Sequence, residues 1–201
     1  MDYILNIDLP VLIKTIGYLG IFLIILAESG LFFGFFLPGD TLLFTAGLLA
    51  SQGYFNIALL VLLIVLGAVL GDQIGYLFGR KVGPKIFNRD ESFFFKKKYI
   101  NDAENFYKKY GKKTILLARF LPVIRTFVPI LAGVGRMDYG TFVTYNIAGG
   151  IFWGAGITLL GYFLGENIPN IDAYLLPILL LVVFLSILPT LFSFIYEKMV
   201  K

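Results

Sequence analysis

The sequence contains neither cysteine nor histidine. Without cysteine, the chain has no disulfide, no thiolate metal site and no cysteine nucleophile. Without histidine, it has no Ser-His triad, no imidazole-bound metal and no histidine nucleophile for phosphate chemistry. Charge is also scarce, because Asp, Glu, Lys and Arg make up 15% of the residues where soluble domains carry about 25%. These absences exclude most enzyme chemistries, and we predict that the chain is not an enzyme and holds no metal or cofactor.

Apolar residues are abundant, at 58% of the 201 residues. Several apolar runs are long enough to cross the roughly 30 Å hydrocarbon layer of a membrane, for which about 20 residues suffice. The first run is too long for a cleavable signal peptide and has no basic residue in positions 1–10. The runs cover residues 17–37, 41–49, 55–78, 114–134, 142–164 and 174–195. We therefore predict one all-α integral membrane domain over residues 1–201.

Basic residues are concentrated in the connector between the two halves, residues 80–113, which holds 11 of the 17 Lys and Arg residues. Basic loops remain on the cytoplasmic side of a membrane, so this connector is expected there. Lys198 and Lys201 place the C-terminus on the same side. An alternative role for the connector is binding to anionic lipid, because three phenylalanines precede Lys96, Lys97 and Lys98.

The two halves of the chain repeat one another. The Phe-Leu-Pro sequence that ends at Pro38 recurs at Pro122, an offset of 84 residues. Gly47 recurs as Gly133, and residues 75–79 recur as residues 161–165, both at an offset of 86. The charge argument orients the spanning helices of the two halves oppositely, which is the inverted-repeat architecture of many transporters. We predict a re-entrant, broken segment followed by a transmembrane helix in residues 17–79 and again in 114–165, then a C-terminal transmembrane helix over 173–196.

The first broken segment carries two carboxylates. A charged residue in the middle of an apolar run costs roughly 2.5–3.5 kcal/mol, so Glu28 requires a functional or structural reason. Asp40 follows Pro38 and Gly39, where a helix cannot continue and backbone polar groups are freed. Both carboxylates are candidates for proton exchange. The alternative for Asp40 is that it only caps a helix starting at Thr41.

The second broken segment carries two arginines. Arg119 and Arg125 are six residues apart, on different faces of an unbroken helix, but a break at Pro122 would let both face one cavity. Arginine keeps its charge, and its fork of N–H donors suits a phosphate group. The alternative is that the arginines only neutralise Glu28 and Asp40 in a buried cluster.

The helix predicted over residues 55–78 carries a glycine every fourth residue, a ridge suited to close helix packing. Asp72 lies beside that ridge and is expected to face the protein interior, as a further titrating group or as a partner of Arg80 or Arg125. Trp153 and the tyrosines are interpreted as packing residues or interfacial anchors.

These residues resemble the signatures of the DedA family, also called the VTT or SNARE-associated domain. The resemblance covers about residues 17–165. In the first half it consists of Glu28, the Pro38-Gly39-Asp40 sequence, Gly71-Asp72, Tyr76, Gly79-Arg80 and Gly83. In the second half it consists of residues 106–111, the sequence from Ala118 to Arg125 and Ala132-Gly133, with Tyr110 where many relatives have histidine.

The resemblance implies roles for the four charged positions. It implies proton dependence at Glu28 and Asp40 and an essential role for Arg119 and Arg125. It also implies a lipid translocase of a bacterial inner membrane that moves undecaprenyl phosphate or a phospholipid headgroup. The partners expected are that lipid phosphate and protons, with no nucleic acid; the sequence leaves a homo-oligomer open. A proton- or sodium-coupled transporter of small solutes remains an alternative, although two arginines in a cavity would repel a cation.

Overall fold

The structure, a computed structural model, describes residues 9–30, 39–86, 113–119 and 121–168, together with residue 177. The helices in these ranges are α1 (Leu9–Gly30), α2 (Gly39–Ser51), α3 (Ile57–Ile86), α4 (Lys113–Ala118), α5 (Pro122–Val134), α6 (Tyr139–Gly150) and α7 (Gly156–Asn167). A π-helical turn, Ile151–Ala155, joins α6 to α7 in one continuous rod. The predicted all-α class is confirmed for the part of the chain described.

Three helical stretches are long and apolar enough to cross a membrane: Leu9–Gly30, Ile57–Val82 and Tyr139–Asn167. The last two contain the runs predicted at 55–78, apart from its first two residues, and at 142–164. Along α3, exposed leucines such as Leu59, Leu62, Leu66 and Leu70 recur every three or four residues. Such an apolar face suits contact with lipid. A helix tolerates this environment because its backbone N–H and C=O groups bond to one another.

Parts of the predicted architecture lie outside the described residues. They are most of the basic connector at 80–113, the C-terminal helix predicted at 173–196 and the chain start at 1–8. Residues 31–38, which include Pro38, also lie outside, so the predicted break at that proline stays a prediction.

Two helix interruptions have identifiable causes. Gly17 has φ 59° and ψ −161° inside α1, a conformation that essentially only glycine adopts, so the helix kinks there. In the second half, α4 ends at Ala118 and α5 begins at Pro122. Leu121 is extended, as the residue before a proline prefers, and proline suits the first turn of a helix because it has no N–H to satisfy. The predicted break at Pro122 is therefore confirmed.

The two 13-residue helices, α2 and α5, each pack mainly against a helix of the other half of the chain. Helix α2 packs on α7, and α5 packs on α3. Gly47 of α2 lies directly against the backbone of Thr158, whereas Gly133 of α5 lies directly against the backbone of Tyr76. A side chain at either glycine would overlap main-chain atoms of the partner helix. Small residues thus allow the helices to approach closely enough for backbone contact.

The glycine ridge of α3 serves two neighbours. Gly67 and Gly71 lie against the backbone of α1, and Gly75 and Gly79 lie against Ile130 of α5. The predicted packing role of the ridge is confirmed. Because α3 contacts both α1 and α5, it brings the charged residues of the two halves toward one another.

Candidate functional site

Arg125 is the centre of the first ion-paired cluster. It lies in the first turn of α5, directly after the break, and its backbone N–H bonds to the Leu121 carbonyl at 2.9 Å. Its guanidinium donates through Nη2 to Glu28 Oε1 and through Nη1 to Asp40 Oδ1, the latter at 2.8 Å. The side chains of Arg125 and Glu28 are 6% and 0% exposed. One arginine therefore bridges the carboxylates of α1 and α2 in the buried interior.

Trp153 completes this cluster from the π-helical turn. Its indole Nε1 donates to Asp40 Oδ1 at 2.8 Å, the same oxygen that accepts from Arg125. The Arg125 guanidinium carbon lies 4.6 Å from the centroid of the Trp153 ring, within the range of a cation–π contact. Of the two interpretations of Trp153, packing is confirmed and interfacial anchoring is wrong, because the side chain is buried at the midpoint of the span Tyr139–Asn167.

Arg119 forms a second cluster with α3 and α6. Its Nη2 donates to Asp72 Oδ2 at 2.5 Å, to Asn146 Oδ1 at 2.5 Å and to the Ala68 carbonyl at 3.3 Å. Asn146 in turn donates from Nδ2 to the Val69 carbonyl at 3.1 Å. The aliphatic stem of the arginine runs against Gly149, where a larger side chain would collide with it. Asn146 therefore helps to hold Arg119 in place.

Four buried polar atoms lack a hydrogen-bond partner among the residues described. They are Glu28 Oε2, Gln73 Oε1, Arg119 Nε and Arg125 Nε. Buried polar groups are nearly always hydrogen-bonded, so each such atom is a place where water or a ligand group can bind. Within the same part of the chain, no group of three or more acidic side chains is gathered in a way that could hold a metal ion.

The predicted site residues divide between two clusters and the helix ends around them. One alternative was that both arginines pair with Glu28 and Asp40. Arg125 forms ion pairs with both of these acids, whereas Arg119 pairs with Asp72. Asp72 is buried as predicted, and in the ranges described its salt bridge is to Arg119, not to Arg80 or Arg125.

Three other predicted residues shape the helix ends. Gly39 opens α2 with its backbone against the Glu28 carboxylate, so a methyl group there would overlap that carboxylate. Asp40 is the second residue of α2 and not the cap of a helix starting at Thr41, so the capping-only interpretation is wrong. Pro122 begins α5.

Arg80 lies apart from both clusters. It is exposed and donates from Nη1 to the Tyr76 hydroxyl at 2.9 Å. That hydroxyl donates to the Met137 carbonyl at 2.6 Å. The supporting role predicted for Arg80 is thus a contact at one end of α3, away from the buried ion pairs.

Sequence reasoning missed two members of the site, Asn146 and Trp153. Each carried a signal. Asn146 is an amide within an apolar run, and Trp153 is the chain's one tryptophan and stands in the middle of a span, not at an end where interfacial aromatic residues gather.

Comparisons with known proteins place the chain in a family. The VTT domain profile matches residues 37–163. The protein named DedA of Escherichia coli K12 is 40% identical over 205 residues, covering 98% of this chain and 93% of that protein. An uncharacterized membrane protein of Mycobacterium leprae is 48% identical over 170 residues, or 85% of this chain and 76% of the relative. The inner membrane protein YqjA of E. coli K12 is 32% identical over 150 residues, or 75% and 70%.

No solved structure matches the chain. The VTT match covers more than half of the chain, and DedA is 40% identical over 98% of it. Both comparisons indicate the same family. This membrane protein belongs to the DedA family of VTT-domain proteins.

Proposed function

We propose that the protein is a lipid translocase that moves the phosphate headgroup of undecaprenyl phosphate, or of a phospholipid, across the membrane with the participation of protons. The observation that carries the proposal is the buried Arg125 guanidinium, which bridges Glu28 and Asp40 while its Nε atom and Glu28 Oε2 have no partner in the part of the chain described. Charged residues inside a membrane protein commonly mark a substrate or ion pathway.

The chemistry of translocation follows from an exchange of partners. Arg125 holds two carboxylates in the resting arrangement, and a phosphate group accepts the same bidentate pair of N–H donors. A lipid phosphate that replaces a carboxylate keeps the guanidinium paired in a low-dielectric setting. The apolar tail remains among lipid tails, and only the headgroup enters the protein. This exchange lowers the cost of carrying a charge through hydrocarbon.

Charge balance connects the exchange to protons. The two clusters contain two arginines and three carboxylates, so their formal charge is −1 when all five groups are ionised. An arriving phosphate adds further negative charge to this buried volume. A proton on Glu28 or Asp40 offsets that charge. It also converts the carboxylate that Arg125 has released into a neutral acid, which costs less free energy to bury without a partner. We propose Glu28 and Asp40 as the proton-exchanging groups and Arg119 as a second phosphate contact through its unpartnered Nε.

The inverted repeat supplies a route for access from both leaflets. Reciprocal packing of α2 on α7 and of α5 on α3 supports this part of the proposal. The Asp40–Arg125 ion pair supports it as well, because Asp40 lies two residues after Pro38 and Arg125 lies three residues after the matching Pro122. The pair therefore joins nearby, although not identical, places in the two repeats, as expected where broken segments meet near a pseudo-two-fold axis. The basic connector and the C-terminus would then face the cytoplasm.

The experiment is reconstitution of purified protein into liposomes that contain undecaprenyl phosphate, followed by measurement of how fast the lipid phosphate crosses. Arg125→Lys keeps the positive charge but loses the bidentate fork, and Glu28→Gln removes a titrating group while keeping its shape. We expect Arg125→Lys to slow the movement by at least about 10-fold, the equivalent of one lost charged hydrogen bond. We expect Glu28→Gln to weaken the response to an imposed pH gradient, because Asp40 remains as the second proposed proton-exchanging group.

The matched control is Arg136→Gln, because Arg136 is exposed at the end of α5 and outside both clusters. It should move lipid at the wild-type rate. Equal rates for Arg125→Lys and Arg136→Gln, in correctly folded protein, would contradict the phosphate-binding role. If no undecaprenyl phosphate or phospholipid crosses faster than in empty liposomes, the lipid proposal fails and a proton-coupled solute transporter becomes the better hypothesis.

A further inference from the structure

Trp153 stands in an unusual place for a packing residue. It lies in the Ile151–Ala155 π-helical turn, halfway along the span Tyr139–Asn167. π-helical turns are rare and are frequent at functional sites, because the extra residue in the turn redirects side chains. Gly150 and Gly154 flank the tryptophan and bring this turn close to Val65, Val69 and Ile64 of α3. The local backbone therefore delivers the indole deep into the interior.

Within the described part of the chain, the polar contacts of the Trp153 side chain are with Asp40 and Arg125. A buried indole N–H requires an acceptor, and a backbone carbonyl would have been sufficient. The acceptor is instead Asp40 Oδ1, at 2.8 Å, the oxygen that Arg125 also contacts. The ring face is turned to the Arg125 guanidinium at 4.6 Å. One side chain thus contacts both members of an ion pair, the anion through its edge and the cation through its face.

We propose that Trp153 is a positioning residue that holds the Asp40–Arg125 pair in register and keeps Asp40 hydrogen-bonded when Arg125 turns to a lipid phosphate. The second half of this statement rests on the proposed translocase function. The first half rests on the geometry of the resting protein alone.

Partner exchange explains why a neutral donor is useful here. When Arg125 leaves Asp40, a carboxylate that is only 12% exposed and has no remaining donor would strongly resist the change. The indole N–H stays behind and satisfies one lone pair of the same oxygen. The flat ring meanwhile gives the guanidinium a surface over which it can turn without losing all of its favourable contacts. A second charged residue in the same place would compete with the phosphate, whereas an indole does not.

The first test uses Trp153 as its own reporter, because it is the chain's one tryptophan. Indole emission responds to the hydrogen bond at Nε1 and to a charge on the ring face. Emission of purified protein without added lipid is compared between wild type, Asp40→Asn and Glu166→Gln. Glu166 is an exposed acid of α7 and outside both clusters. We expect a shift of the emission maximum in Asp40→Asn and none in Glu166→Gln. Identical emission from all three proteins would overturn the positioning role.

The second test measures lipid movement in Trp153→Phe, which keeps a ring over Arg125 and loses the N–H, and in Trp153→Leu, which loses both. The control is Phe152→Leu, because Phe152 is the preceding residue of the same turn and is 65% exposed. We expect Trp153→Phe to be slower by about 10-fold, Trp153→Leu to be slower still and Phe152→Leu to be unchanged. A wild-type rate in Trp153→Phe would overturn the proposal for transport.

The two tests separate this proposal from the proposed function. If wild-type protein moves no lipid phosphate while its emission still depends on Asp40, the translocase function fails and the positioning role in the resting protein stands. If wild-type protein moves lipid and the emission is indifferent to Asp40, the positioning role fails and the translocase function stands. A Trp153 variant that does not fold leaves the emission test unaffected, because that test keeps the tryptophan in place, and the emission of Asp40→Asn is compared only after its helix content is shown to match that of wild type.

Discussion

The Arg119–Asp72 ion pair yields a prediction whose magnitude can be worked from its contacts. Both side chains are at most 5% exposed, so neither charge can turn to water if its partner is lost. Removing one partner of a buried pair typically costs about 3–5 kcal/mol of the free energy of unfolding, because the other charge is left uncompensated. We therefore expect Asp72→Leu and Arg119→Met each to lose about 3 kcal/mol or more.

The double variant should recover much of that loss. Apolar residues of similar volume often replace a buried ion pair at little net cost. One hydrogen bond is still lost, because Asn146 Oδ1 no longer has its donor Arg119. An unsatisfied buried acceptor costs about 1–3 kcal/mol. We expect the free energy of unfolding of the double variant to be roughly 1–3 kcal/mol lower than that of wild type. This loss is much smaller than the sum of the two single losses.

The assay is a denaturant titration of the four purified proteins in one detergent, with the free energy of unfolding compared in a double-mutant cycle. Losses that add to within about 0.5 kcal/mol would refute the pairing, because independent sites behave in that way. The same four proteins also test Arg119 in transport. A stable double variant that moves no lipid phosphate would show that the Arg119–Asp72 pair has a role in transport beyond stabilising the fold.

Three other changes have clear expected outcomes. Gly133→Ala should lower the free energy of unfolding by about 1–3 kcal/mol because its methyl group would overlap the backbone of α3; Gly156→Ala, with open space around it, is the control and should be neutral or slightly stabilising in thermal unfolding. Gly17→Ala should cost about 1–3 kcal/mol in the same assay, because alanine is strained at φ 59° and ψ −161°; a neutral result would contradict the kink. Glu28→Gln should give lipid movement that varies less with pH than that of wild type, because one of the two proposed proton-exchanging groups is removed, and an unchanged pH profile would exclude Glu28 as a proton-exchanging group.

The sequence predicted those features that depend on local chemistry. Long apolar runs predict spanning helices because of the thickness of the hydrocarbon layer, and the structure has helices at 57–82 and 139–167. Pro122 predicts a helix start because proline lacks an N–H, and α5 begins there. The burial of Glu28 and Asp72 could be predicted as well, since a charge in an apolar run has to face the protein interior.

The pairing of the charges could not be predicted in the same way. Composition and spacing provide two arginines and three acids, but which side chain meets which depends on helix rotation and on contacts between distant segments. The structure pairs Arg119 with Asp72, 47 residues away, and leaves Glu28 and Asp40 to Arg125. The π-helical turn was also beyond prediction, because no residue pattern in the sequence distinguishes Ile151–Ala155 from the α-helices on either side. The sequence therefore predicted a packing role for Trp153 but not its contacts with Asp40 and Arg125.

The long separation between partners in the Arg125 cluster has a consequence for biosynthesis. Arg125 is 97 residues after Glu28, so at about 5–20 residues per second the ribosome completes the arginine roughly 5–20 s after the acid. During that interval the first half of the chain has neither its counter-charge nor the α7 surface on which α2 packs. The first half alone therefore leaves Glu28 without its Arg125 partner and α2 without the helix on which it packs. Truncation of the gene between the halves should accordingly yield a product that is degraded instead of a smaller stable protein.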